Sequence, residues 1–223
     1  MIGGDRLCNL PGYQSSTSEF FLKNSVLSVT YPVTFFKIWK LILLKDNKVN
    51  EIIKAIKERR SIRSFKSDPV PHDLVSQIAE AGLYAASSRG KQATVIVAVT
   101  EKNLRDRLSS VNCSIGGWKE DFDPFYGAPA VLIVLGLKEN ANHVYDGSLV
   151  MGNMMLAAHS LGLGSCWIHR AREEFEMPEF RTLLKELGVS EEYVGIGHCA
   201  VGYIDGELPP APERKAKRLF FVE

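Results

Sequence analysis

The spacing of apolar residues changes sharply near residue 49. From there Val49, Ile52, Ile53 and Ile56 fall at i, i+3, i+4 and i+7, the spacing of a helix with one buried face. Asn50 suits its N-cap, and the helix is expected to end around Arg59-Arg60. Ser67-Asp68-Pro69-Val70-Pro71 makes a turn. A second helix follows with Leu74, Val75, Ile78, Ala79 and Gly82 on one face, running out at Ala85-Ala86-Ser87-Ser88. Residues 94–99 and 130–135 are unbroken apolar runs, which predicts two fully buried strands. Between them a short helix is expected over 104–108, then a loop from Asn112 to Gly127 rich in Gly, Trp and Phe. Residues 147–161 predict a long helix that is apolar nearly all round and ends at Gly162 and Gly164. A domain of this size has little room to bury such a helix on every face, and a second subunit would supply the missing cover. A short strand over 165–168, a helix through Phe180, Leu183, Leu184 and Leu187 stopped by Gly188, and a last strand over 193–203 complete the pattern. This order predicts a layered α+β or α/β domain around one sheet.

Residues 1–48 do not share that regularity. The opening MIGGDRLCNLPGYQSSTSEF is polar and shows neither a helical nor a strand period, and the apolar run after it is broken by Pro32, Lys37 and Lys40. Those interruptions fit neither a bilayer span nor a signal peptide. The segment is expected to be either an arm or interfacial helix packed on the domain or on a partner, or a leader foreign to the natural product. The domain proper is placed at residues 49–223.

Composition narrows the function classes. The chain has 223 residues, 27 basic and 26 acidic, for a net charge of +1, which argues against a dedicated nucleic-acid binder. Cys8, Cys113, Cys166 and Cys199 are scattered, so neither an iron–sulfur cluster nor a zinc knuckle is expected; reduced thiols in a cytoplasm are the plain reading. The five histidines lack ligand spacing. Gly162-Leu163-Gly164 begins a dinucleotide fingerprint, but Trp167 stands where its third glycine belongs. No phosphate-loop, zinc-protease or hydrolase-elbow motif occurs, and no side chain stands out as a catalytic acid or base.

The chemistry concentrates instead in RRSIRSF, residues 59–65. Arg59, Arg60 and Arg63 have two readings. They can be a solvated helix end, contributing about 0.3–1 kcal/mol each against the helix dipole. They can also be a phosphate cradle, since guanidinium forks and the hydroxyls of Ser61 and Ser64 suit an anion. Arg214 and Lys215 form a second basic group in the proline-rich tail.

Five segments in order resemble the nitroreductase family of FMN-dependent oxidoreductases: AIKERRSIRSF, AGLYAASSRGKQ, YGAPAVLIVLG, DGSLVMGNMMLAAHSLGLGSCWI and VGYIDGELPPAPERK. The resemblance implies an α+β fold, a central and mostly antiparallel sheet flanked by helices, with the long helix buried at a dimer interface. It implies a homodimer with two FMN sites between the subunits and NADH or NADPH as electron donor. By matching positions, Arg59, Arg60, Ser61 and Arg63 hold the phosphate, ribityl chain and pyrimidine edge, and Arg214 and Lys215 reach the phosphate. Ser87, Ser88 and Gln92 touch the flavin from the other subunit. The backbone of Ile168, His169 and Arg170 lies near its N5 and O4, and Asn112 contacts its polar edge. Three departures from the family pattern, Ala86, Gly90 and Ala93, predict a looser loop around Gly90-Lys91. Ser87-Ser88 also reads as a simple helix stop.

The implied activity takes hydride from NAD(P)H and passes it to nitroaromatic or quinone-like small molecules in a ping-pong cycle; the alternative is a non-catalytic FMN-binding redox sensor or storage protein. Trp118, Phe122, Phe125 and Tyr126 either line a flat aromatic pocket or fill core space.

Overall fold

A computed structural model of the chain describes residues 15–22, 25–32 and 50–223. The chain divides into two compact units, residues 1–51 and 52–223. In the first, Ser15–Leu22 (β1) pairs antiparallel with Ser25–Pro32 (β2). The sequence had shown no strand period here, because a run of Ser and Thr offers no apolar alternation to detect. The reading of residues 1–48 as an arm, an interfacial helix or a foreign leader falls mostly on residues outside the described ones.

The second unit holds helices α1 (Glu51–Glu58), α2 (His72–Leu83), α3 (Lys102–Gly116), α4 (His143–Ser160), α5 (Ala171–Phe175) and α6 (Pro178–Glu186), with strands β3 (Thr94–Val99), β4 (Ala130–Leu137), β5 (Gly164–Ile168) and β6 (Tyr193–Gly202). The four strands form one antiparallel sheet in the order β3-β4-β6-β5. β4 is buried on both faces, and its alternation splits its side chains between two cores. Val131, Ile133 and Leu135 join Leu108, Phe125, Phe175 and Leu184 on one side. Ala130, Leu132 and Val134 join Ile78, Val150, Met151 and Met154 on the other. The fold is therefore α+β, with α3, α5 and α6 on one face of the sheet and α2 and α4 on the other.

Three expectations need correction. β3 is an edge strand: Val97 and Val99 are buried, but Ala98 is exposed and residues 94–96 are half-buried. The helix expected over 104–108 runs on to Gly116, so Asn112 is helical rather than in a loop. Its Ser and Asn residues look like loop, yet Val111, Asn112 and Cys113 face the core, and burial outweighs their weak helix propensity. α5 was not foreseen, since five residues are too few to show a period.

On α1, Ile52, Ile53 and Ile56 are 66%, 50% and 57% exposed, where the spacing predicted a buried face. α4 buries Val150, Met151, Met154 and Ala158 but leaves Val144, Tyr145 and Leu149 exposed. No helix among the described residues is long and apolar enough to cross a membrane.

Candidate functional site

The arginine turn and the start of β5 lie side by side. The Ile62 amide donates to the Ser165 carbonyl at 3.0 Å, and Ser61 and Ser165 form a parallel bridge. Further along, the Lys66 amide donates to the Tyr203 carbonyl at 2.9 Å, and Phe65 bridges Ile204. Ile62 and Phe65 are buried, so the turn is pinned by apolar side chains at every third residue. Arg59, Arg60 and Ser61 are half-buried just before these anchors, and Arg63 and Ser64, between them, are exposed.

Within that cradle Arg60 Nη1 donates to the Lys57 and Arg59 carbonyls, at 2.7 Å each, which closes off the end of α1. Part of the helix-end reading of these arginines therefore holds. It does not use every donor: Arg59 Nη1 and Arg60 Nε are buried with no hydrogen-bond partner. An unmet buried donor costs about 1–3 kcal/mol, so this is a place where an acceptor is missing. The arginine charges also reach the sheet. Burial pushes the Cys166 thiol up while Arg63 and Arg59 oppose the rise. Burial pushes Cys199 up to about 12, with Cys166 adding to the effect and Arg59 again opposing it. Neither thiol is a nucleophile at neutral pH.

From Ser165, β5 runs on to Ile168 and leads through His169 and Arg170 into α5. Ile168 is buried, His169 exposed and Arg170 half-buried. Arg170 adopts a left-handed backbone, φ 77°, which is uncommon outside Gly, Asn and Asp. Its guanidinium stacks on Trp118, 4.3 Å from the ring centroid, a cation–π contact. Asn112 has no exposed surface, and its Nδ2 donates to the His169 carbonyl at 2.9 Å. Asn112 thus holds the connector from beneath, while its Oδ1 is buried with no hydrogen-bond partner.

The segment carrying Ser87, Ser88 and Gln92 is tied down, against the looseness expected of Gly90-Lys91. The Ser88 amide donates to Asp146 Oδ1 at 3.0 Å, and Ser88 Oγ accepts from Asn142 Nδ2 at 2.8 Å. Asp146 is buried at the start of α4, and its Oδ2 accepts from Asn140 Nδ2 at 2.8 Å. The Gln92 amide donates to Ser87 Oγ at 3.0 Å. Arg89, Gly90 and Gln92 all have positive φ, so a tight 3₁₀ turn replaces a simple helix stop. Asp146 was missed as a site residue, although an acid at a helix start, where the dipole favours it, is a readable signal.

The aromatic quartet divides. Phe125 is fully buried core, whereas Trp118 and Phe122 are exposed and meet edge to face at 5.0 Å. With Lys119 and Asp121 they line a shallow depression of about 460 Å³. Asp123 shapes this loop: Oδ1 accepts from Ser109 Oγ (2.6 Å) and the Phe125 amide (2.9 Å), and Oδ2 from Arg105 and the Gly127 amide. Arg214 and Lys215 lie in an exposed, unstructured tail; the single chain does not bring them into the arginine turn through any hydrogen bond or ion pair among the described residues.

Residues 56–114 and 117–203 match the model of the nitroreductase family. A protein of Methanothermobacter thermautotrophicus with the provisional name NADH dehydrogenase/NAD(P)H nitroreductase is 30% identical over 149 residues, 60% of this chain and 74% of that protein. The FMN reductase [NAD(P)H] of Bacillus subtilis is 29% identical over 59% of this chain and 62% of its own length. Among solved structures, a nitroreductase with bound FMN from Bacteroides fragilis superimposes with a TM-score of 0.70 at 32% identity, covering 78% of this chain and all of that one. The family model matches more than half of the chain, and the chain belongs to the nitroreductase family.

Proposed function

We propose that the chain is an FMN-dependent oxidoreductase that takes hydride from NADH or NADPH and reduces nitroaromatic or quinone-like acceptors. One observation carries this: Arg59 Nη1 and Arg60 Nε are buried donors without acceptors, beside Ser61, whose backbone bridges Ser165 of β5. A dianionic phosphate fits that donor set, because guanidinium N–H groups bind phosphate oxygens in a dry cleft far more strongly than in water. Arg59, Arg60 and Ser61 would hold the FMN phosphate and Arg63 its polar edge, with Arg214 and Lys215 closing over from the tail. When bound, FMN supplies hydride acceptance and donation at one ring atom, so the protein needs no acid or base of its own.

The remaining residues then have positional work. The Ile168–His169–Arg170 backbone faces the reacting edge. Arg170, stacked on Trp118, and the exposed ring of Phe122 offer a flat face to an aromatic acceptor. One open cleft serves donor and acceptor in turn, which makes the cycle ping-pong. The exposed apolar residues of α4 are covered by a second copy, and the Ser87–Gln92 turn, fixed to Asp146, reaches the partner's cofactor.

The test is a colour cycle. Purified protein loaded with FMN is expected to bleach with NADH or NADPH and recover its colour when a nitroaromatic or quinone is added without oxygen. Bleaching without recovery leaves a redox sensor, and flavin that no nicotinamide reduces leaves a storage protein.

A further inference from the structure

Beneath the connector lies a buried Glu–His pair for which the reading above has no use. His198 Nε2 of β6 sits 2.6 Å from Glu174 Oε2 of α5, and neither side chain has any exposed surface. The contact falls outside hydrogen-bond geometry, and His198 Nδ1 and Glu174 Oε1 also lack hydrogen-bond partners. Phe125 and Phe175 pack on the imidazole, with ring centroids at 5.2 and 6.5 Å. Such a pair is a poor stabiliser. Apolar replacement of a buried pair is often neutral or better for stability, whereas removing one partner alone is costly.

Its position is more informative than its energy. In β6 the register skips Ile196, since Val134 pairs with Gly197 and Leu135 with Gly195. This bulge re-aims the strand. The Ile196 side chain fills the space beside Gly147 of α4, while Gly195 and His198 both meet α5. A Cβ at Gly195 would lie 2.1 Å from the Ala171 carbonyl oxygen, so the strand backbone abuts the first residue of α5. His198 pairs in register with Ile168, where the connector begins. The Glu174 amide donates to the Arg170 carbonyl at 3.0 Å, where the connector ends. The Glu–His pair therefore bridges both ends of the Ile168–His169–Arg170 turn, and Asn112 holds its middle through the His169 carbonyl.

We propose that Glu174 and His198 are positioning residues that fix this connector's backbone against the reacting edge of the cofactor. The proposal rests on the reading that the connector faces FMN. A geometric latch of this kind acts on rate rather than on folding, because small misplacements of a reacting edge cost orders of magnitude in rate.

The test uses the full chain loaded with FMN and two variants, Glu174→Gln and the apolar double variant Glu174→Met/His198→Leu. Melting temperature, FMN occupancy and the single-turnover rate of flavin reduction by NADH or NADPH are measured for each. The double variant is expected to melt no earlier than wild type and keep its FMN, yet to be reduced about tenfold or more slowly, with a shifted flavin midpoint potential. Glu174→Gln keeps the shape and part of the contact, and is expected to lose less. Should the double variant fail to fold, the Gln variant decides by the same rate. A full reduction rate in folded, flavin-loaded variants would overturn the proposal, and so would failure of both to fold, which makes the pair structural only. Failure of the underlying reading is seen separately, as wild-type protein that takes up no FMN.

Discussion

At the scale of single residues, the site is built from donors that lack acceptors and from buried groups that hold others in place. Arg59 and Arg60 each keep one buried N–H without a partner, while Asn112 spends its amide on the His169 carbonyl. The arginines were legible in the sequence because charge density in RRSIRSF is visible without a fold. Asn112 was legible only as a position: its place beneath the connector depends on α3 continuing past 108, which polar residues disguised. Asn112→Asp replaces the donor with an acceptor that faces the His169 carbonyl in a dry site. It is expected to destabilise the protein by about 3 kcal/mol or more, read from urea unfolding at neutral pH. An unchanged midpoint would mean that Asn112 does not hold the connector.

At the scale of elements, the loop between α3 and β4 depends on Asp123. Burial alone would raise its pKa, but donors from Arg105, Ser109 and the Gly127 amide outweigh that and hold it below the usual carboxylate range. A carboxylate depressed in the folded state stabilises above its unfolded value, about 3.9, and loses that contribution as pH falls through the folded value. Asp123→Asn is therefore expected to be clearly less stable than wild type at pH 7, with the gap closing as pH falls below about 4. Urea unfolding at both pH values checks this, and a gap that persists in acid would show that shape rather than charge is at stake. The elements themselves were largely readable. β4 and α4 carry their apolar runs openly, whereas α5 is too short to show a period and β3 lies at the sheet edge, a matter of topology rather than of composition. The hydrogen bonds that tie residues 87–92 to Asp146 could not be read at all, because the two segments are far apart in the chain.

At the scale of the whole molecule, α4 leaves Val144, Tyr145 and Leu149 exposed. The all-round apolar character of α4 had already pointed to a second subunit, and this exposure is what such a helix shows in a lone chain. Contiguous exposed apolar surface of this kind marks an interaction site. Leu149→Lys places a charge in the middle of the α4 face. Light scattering is expected to give twice the chain mass for wild type and a shift toward the single-chain mass for the variant, with weaker FMN retention if the partner completes the site. Wild-type protein that runs as a single chain at micromolar concentration would remove the dimer from the account.

The central claim is that the arginine turn holds the phosphate of FMN, and retention of the flavin after exhaustive dialysis measures it most directly. Wild type is expected to keep its visible flavin absorbance, and Arg59→Ala/Arg63→Ala to lose most of it while staying folded. A folded double variant that keeps full flavin occupancy would contradict the claim.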